Sequence, residues 1–415
     1  MLYFLIFAAL CFIISCAVKP KKEPITKTIT IFYTSDLNLN NIGRITTLIK
    51  RERMRNPGLF IINGKIFSED PISTLYRGEA EITILNSAGI DAIVLTPDFL
   101  RFGFKRAQEL INQGDFFFLG ANLYQTDKLR ALAHEYFIKD LAKTKVSILG
   151  MLSENTDFYK KLTGIEQKDP IHTAKRIVPL LRMRSDLVGL TLTKPDSIAL
   201  PDIDFVIGTI NTKSIWAPAC KENEALRWLY LYLSDNNIIV DYNKSVVPVG
   251  DSIEEDSLVK ATRQTYLLKT DSMLDVKLSE VKKEIDIKSL TSILNQAILN
   301  ETKADGIIAQ NQIVKKSIAK GSLTCRDLLE ALSFSGNLPI IELSGKEIEA
   351  LKTKKLNVVW SSRMKNPKLL DTKIYRIVIT PDLIETNPEW QDKEITLSDT
   401  NIITLMVNYF KKGRK

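Results

Sequence analysis

Seven short apolar runs recur between residues 28 and 210, and the segments separating several of them are helical in pattern. TITIFY (28–33), LFIIN (59–63), DAIVLT (91–96), DFFFLGAN (115–122), KVSILGML (145–152), DLVGLTL (186–192) and DFVIGTI (204–210) have the length and composition of strands. Amphipathic stretches such as RITTLIKRERMR (44–55) and HTAKRIVPLLRM (172–183) lie between them. Strands that are apolar along their whole length belong to sheets covered on both faces, so the pattern predicts α/β layers. Residues from about Trp216 to Val249 continue as β structure, and a charged helical stretch over 252–283 reads as a connector. A second domain, α/β or α+β, begins near Asp286. Its helices carry start signals, Thr324 with Asp327 and Ser344 with Glu347, each spaced for a capping box. LPIIELS (338–344) and KIYRIVIT (373–380) read as its strands. A length of 415 residues suits two domains.

The first fifteen residues, MLYFLIFAALCFIIS, carry no charged side chain. The run is short for a bilayer span and lies where a secretory signal belongs. It ends in I-I-S-C, which resembles the lipobox of bacterial lipoproteins, with Cys16 as the acylated first residue of the mature chain. A plain amino-terminal membrane anchor is the alternative, since the n-region offers only the terminal amine as positive charge. AVKPKKEP (17–24) reads as a polar tether. The division is therefore a leader over 1–15, a lipidated tether over 16–27, a first domain over 28–250, a connector over 251–284, a second domain over 285–410 and a basic tail over 411–415. Several acyl chains on Cys16 would hold the protein at a membrane, in the bacterial envelope, facing the periplasm or the cell surface. Cys220 and Cys325, about a hundred residues apart, form no disulfide framework or metal spacing and read as buried small hydrophobes. A net charge of +8 without an aromatic-interleaved basic patch gives no argument for a nucleic-acid polymer as partner. The closing KKGRK is a solvated tail or a contact for anionic headgroups.

FYTSDLNLN (32–40) closes the first strand with Asp36 two residues before Asn38. GLFIINGKIFSEDPISTLYRGEAEITILNSAGIDAIVL follows, then TPDFLRFG, ANL (121–123), DLVGLTLTKP and DFVIGTINTKS. In order and spacing these resemble the motifs of the secreted 5'-nucleotidase and nucleotide-sugar hydrolase family over about residues 28–385. Gly78, Glu79, Asn86, Gly89 and Asp91 match its G-E-x-x-x-x-x-x-N-x-x-G-x-D element. The resemblance implies a four-layer αββα metallophosphoesterase-like sandwich followed by a 5'-nucleotidase C-terminal α/β domain. It also implies two divalent metal ions, held by the aspartate and histidine of T-N-D-x-H-G, a bridging aspartate after G, an asparagine in G-N-H-E and further histidines. Here Asp36 survives, while Asn38, Lys65, Pro97, Thr193, Ile210 and Thr212 stand at the other ligand positions. Asp98 replaces the transition-state-stabilising histidine.

A two-metal hydrolase clamps the attacking and leaving oxygens between cations held by convergent ligands. The uncatalysed hydrolysis of phosphate monoesters is slow enough to need on the order of 10²¹-fold acceleration. The chain has 2 histidines, His134 and His172, both outside every motif. An ammonium at 65 puts positive charge where cations would sit, so no metal cofactor and no catalytic residue is expected. Asp36, Asp98 and Lys65 are expected either to pair in a small salt-bridge cluster or to form an alternative acid–base or cation site.

The second domain, from LTSILNQAILNETKADGIIAQNQIVKK to NLPIIELSGKEIEAL, resembles the family's substrate-binding domain. Where the family has N-G-G-x-x-R, this chain has NQIVKK (311–316), with Lys315 or Lys316 in place of the phosphate-binding arginine. A lysine is a point charge without the bidentate fork. SFSGN keeps Phe334, one of the family's two base-stacking aromatics; DLIETNPEWQ (382–391) has no comparable partner. Phe334 is then a one-sided stacking platform or a core residue. Three readings follow: an envelope lipoprotein acting as a non-catalytic binding or scaffold protein with an envelope protein partner, a nucleotide binder through Asn311, Lys315, Lys316 and Phe334, or a divergent hydrolase of nucleotide catabolism.

Overall fold

The computed structural model describes residues 24–411 except 36, 68–69, 127–129, 154–163, 194–201, 209–213, 219–225, 310–312, 334–335, 354–355, 357, 365–367, 381–382, 384–386, 388–389, 391–392 and 399. Two sheets form the centre of the first domain. The six-stranded sheet contains β1 (Lys27–Thr34), β2 (Gly58–Ile62), β3 (Ala92–Val94), β4 (Phe117–Leu119), β13 (Leu226–Leu233) and β14 (Ile239–Val247), in the order β14-β13-β1-β2-β3-β4. β1 to β4 are parallel, and β13 runs antiparallel to β1. The five-stranded sheet contains β7 (Tyr136–Leu141), β8 (Thr144–Met151), β10 (Leu187–Leu192), β11 (Phe205–Gly208) and β12 (Ile215–Pro218), in the order β12-β11-β10-β8-β7.

Side-chain alternation explains the layering. Ile29, Ile31 and Tyr33 of β1 point between the sheets, where they meet Val146, Ile148, Phe205 and Ile207 in one buried cluster. Phe32 points outward, into a second cluster with Ile42, Ile45 and Ile49 of α1 (Ile42–Arg53). α2 (Pro71–Tyr76), α3 (Glu79–Ser87) and α4 (Phe104–Gln113) follow on the chain, and α3 and α4 cover the same outer face. α5 (Pro170–Arg182) covers the outer face of the five-stranded sheet through Ala174, Ile177 and Leu181. The result is the expected αββα sandwich.

Sequence patterning did not single out a small third sheet, β6 (Arg130–Ala131), β5 (Leu123–Gln125) and β9 (Ile165–Gln167), whose strands are two or three residues long. It is tied to α5 by polar contacts. The Tyr124 hydroxyl donates to Glu135 Oε1 (2.8 Å), and Arg176 Nη2 reaches the same carboxylate oxygen at 2.6 Å. Burial, and then the bond to Glu135, push the Tyr124 phenol up from 10.0 to about 12. Tyr230 on β13 is likewise pushed up to about 12, by burial and then by the Glu52 carboxylate. A raised folded-state pKa means that folding favours the protonated phenol. That contribution is complete below pH 10 and is lost as pH rises toward 12. Ultraviolet titration at the phenolate band is expected to show two tyrosines ionising late, with stability falling across the same window.

The charged stretch over 252–283 is not one helix. α6 (Ser257–Leu274) occupies its middle, and β15 (Lys277–Val281) follows, paired with β17 (Gly321–Thr324). KLSEV, at the end of this stretch, places Val281 in the core, a strand signal masked by its charged neighbours. The second domain has a five-stranded sheet of β16 (Gly306–Ile308), β18 (Pro339–Ser344), β19 (Val358–Trp360), β20 (Ile374–Ile379) and β21 (Ile395–Leu397), in the order β19-β16-β20-β18-β21. α7 (Ile287–Thr302), α8 (Cys325–Ala331) and α10 (Ile402–Lys411) pack into one core, and α9 (Gly345–Thr353) into another. Both capping boxes form. Thr324 N donates to Asp327 Oδ2 (2.8 Å) and Asp327 N to Thr324 Oγ1 (3.3 Å), while Ser344 N donates to Glu347 Oε2 (2.7 Å). Thr324→Ala is expected to lower the second domain's stability by about 1 kcal/mol in urea unfolding. Cys325 is buried, as expected; Cys220 lies outside the described residues.

Candidate functional site

Parallel α/β sheets open their ligand crevices at the carboxyl ends of the strands. Here those ends are Thr34 of β1, Ile62 of β2, Leu192 of β10 and Gly208 of β11. Asp36, Ile210 and Thr212 fall outside the described residues, as do Asn311, Phe334 and Cys16.

The remaining positions can be placed. Asn38 is exposed, and its side-chain Oδ1 accepts from Asn40 N at 2.9 Å, shaping the turn before α1. Lys65 lies beside this loop because its carbonyl accepts from Leu37 N at 2.9 Å. Pro97 opens a 3-10 turn, Pro97–Phe102. The Asp98 carboxylate accepts from Phe67 N (3.4 Å) and from the Thr96 hydroxyl, so it is drawn to the loop that carries Lys65. Thr193 Oγ1 accepts from Ser153 N at 3.0 Å. His134 packs edge-on against Phe117, and His172 sits in the first turn of α5 with its backbone N–H on Asp169 Oδ1. Among the described residues, no three of His, Cys, Asp and Glu gather as a metal-holding group.

Two residues that sequence reasoning did not mark close the gap between the sheets. Asn63, fully buried just past β2, donates from Nδ2 to the Leu192 carbonyl of the facing sheet at 3.1 Å. Gly208 has φ +84, and a Cβ there would stand 2.3 Å from both Asn63 Nδ2 and Leu192 O. The glycine in FVIG is the one signal that could have revealed this close approach.

The donor chemistry follows from these placements. Proline offers a cation no ligand, a protonated lysine repels it, and an asparagine amide or a threonine hydroxyl is a weak neutral oxygen. The described residues at these positions therefore do not fit a pair of divalent ions normally held by imidazoles and carboxylates.

Beside this place lies a cavity of about 550 Å³, bounded by Leu37–Asn40, Ile66, Asp70–Ile72, α6 and Arg326 of the second domain. Its floor is apolar, with Leu37, Ile66, Ile72 and Leu274, and charged groups rim it. Arg263 donates to Leu39 O (3.1 Å), Asn40 O (2.8 Å) and Glu255 (2.8 Å). Arg326 spans Asp275 and Asp271 of the α6 end, at 2.8 Å each. That guanidinium holds the Asp275 carboxyl below the usual carboxylate range.

In the second domain, the backbone of Lys315 is tied to Ala331 O at 2.8 Å, and the Lys316 ammonium pairs with Glu330 at 2.7 Å. The Glu330 hydrogen bond raises the Lys316 pKa.

A model of the 5'-nucleotidase C-terminal domain matches residues 269–386. A 5'-nucleotidase of Vibrio cholerae serotype O1 is 21% identical over 369 residues, covering 70% of this chain and 66% of that protein. This chain thus spans just under two thirds of that relative. The 5'-nucleotidase precursor of Thermus thermophilus superposes with a TM-score of 0.60 at 14% identity, over 93% of this chain and 96% of that one. The NAD nucleotidase of Haemophilus influenzae gives a TM-score of 0.57 at 12% identity, over 93% and 97%. The second domain thus matches the 5'-nucleotidase C-terminal domain, and the chain as a whole shares the two-domain fold of these 5'-nucleotidases.

Proposed function

We propose that this protein is an envelope lipoprotein, anchored through Cys16, that keeps the 5'-nucleotidase architecture without two-metal chemistry and acts as a binding or scaffold protein. One observation carries the reading. The hydrogen bond from Leu37 N to the Lys65 carbonyl sets Lys65 beside the loop of Leu37 and Asn38, where the family resemblance calls for the bridging carboxylate. A lysine in place of that carboxylate offers a divalent cation no bridging oxygen. The amphipathic cavity between Leu37–Asn40 and α6 is the place this reading gives a partner or ligand. A protein partner in the envelope suits its mixed apolar and charged lining.

The competing hydrolase reading draws on what the relatives are called, and nucleotide binding on the family positions of Asn311, Lys315, Lys316 and Phe334. Lys316 is already engaged by Glu330. Metal analysis of the purified protein by mass spectrometry, with hydrolysis assays on nucleotides and a generic phosphoester in Mn²⁺, Zn²⁺ or Mg²⁺, separates these readings. The expected result is no stoichiometric metal and no turnover above buffer. About two metals per chain, with turnover abolished by Asp36→Ala, would overturn the proposal.

A further inference from the structure

The end of the sandwich opposite the strand-end site gathers features that the binding reading does not use. Thr26 N donates to Leu233 O, the Lys27 ammonium reaches Asn237, and Thr144 Oγ1 donates to Asn237 Oδ1 at 2.8 Å. Asp186 N donates to Lys145 O at 2.9 Å. The starts of β1, β8 and β10 and the turn between β13 and β14 therefore share one pole. α1 and α5 end there too, since each leads into the start of a strand parallel to its neighbours.

The two most exposed large apolar side chains among the described residues stand just past those helix ends, Met54 at 81% and Met183 at 84% exposure. Ile238 in the turn and Ile25 at the start of the described chain are also more than half exposed. Exposed Arg51, Arg55, Lys143 and Lys145 lie beside them. Asp140 and Asp186 direct carboxylate oxygens to the backbone amides of Lys143 and Lys145. Exposed Asp115, before β4, and Asp235, in the turn with Ile238, share this pole, so its charge is mixed. Exposed apolar tips with lysines and arginines next to them suit the headgroup boundary of an anionic bilayer.

The chain itself leads to the same place. The 23 residues before Pro24 include the apolar leader and Cys16, and they join the fold at this pole. Eight extended residues reach at most about 28 Å, so a lipid on Cys16 would keep this pole, and not the cleft, near the membrane. We propose that this pole is a membrane-contact face that seats on an anionic lipid bilayer, with Met54 and Met183 among the headgroups and the strand-end cleft directed away. This rests on the lipid-anchor reading.

Peroxide oxidation of the native methionines tests it without mutation. The full chain is floated with vesicles of phosphatidylcholine containing phosphatidylglycerol, and each methionine is followed by peptide mass spectrometry. Met54 and Met183 are expected to oxidise about fivefold more slowly than in solution, while Met273 on α6 keeps its rate. Arg51→Glu with Lys143→Glu is expected to remove the protection while flotation persists. Flotation without protection, or equal protection of all three methionines, overturns the contact face and leaves the anchor standing. Failure to float overturns both.

Discussion

Asp91→Ala is expected to lower the stability of the first domain by about 3 kcal/mol, the cost of breaking a buried charge network from one side. Asp91 is buried at the start of β3 and joins three elements. Its Oδ2 accepts from Phe60 N on β2 at 2.7 Å and from Arg53 Nη2 at the end of α1 at 2.5 Å. Its Oδ1 pairs with Lys139 on β7, so one carboxylate ties the helix to both sheets. Lys139 is half exposed and can rehydrate; Arg53 and the Phe60 amide have less access to water, which sets where the loss falls. Asp91→Asn keeps the shape and one acceptor and should lose less. Urea unfolding, following the tryptophan of β13, would read the difference as a shift in midpoint at constant slope.

Gly208→Ala should be at least as damaging, on the order of 3 kcal/mol or more, from strain and overlap combined. The positive φ of 84° already disfavours any side chain. The new Cβ would also meet a backbone carbonyl, which cannot swing aside as a flexible side chain could, and the Asn63 amide that bonds to that carbonyl. Gly164→Ala provides the control. Gly164 has φ +66 but nothing within 4 Å of its Cβ, so that variant should lose only about 1 kcal/mol. Equal losses at both sites would show that backbone conformation alone, rather than inter-sheet contact, governs position 208.

These two residues also show how far the sequence could be read. Asp91 was legible because it closes a spaced motif, and the seven strands were legible because each is apolar along its length. β6 and β9 were not, since two or three residues carry no period. β15 was hidden because its charges matched those of the preceding helix. Motif order singled out Asn38, Lys65 and Asp98, and the loops bearing them do lie together. Asn63 could not have been picked out, because its partner is a backbone carbonyl 129 residues away, and main-chain oxygens leave no mark on a sequence. The cleft was equally invisible, being formed by Arg263, Arg326 and loops that meet only through tertiary packing.

The pairing of Arg326 with Asp271 and Asp275 has a mechanical consequence. All three groups are well exposed, between 38% and 61% of their side chains, so salt reaches the contact freely. The bracing between the second domain and the connector helix is thus partly set by the solvent, tight in dilute medium and slack in brine. A change in the ionic strength around the protein would change the play in this joint, at the wall of the adjoining cleft, without altering any residue.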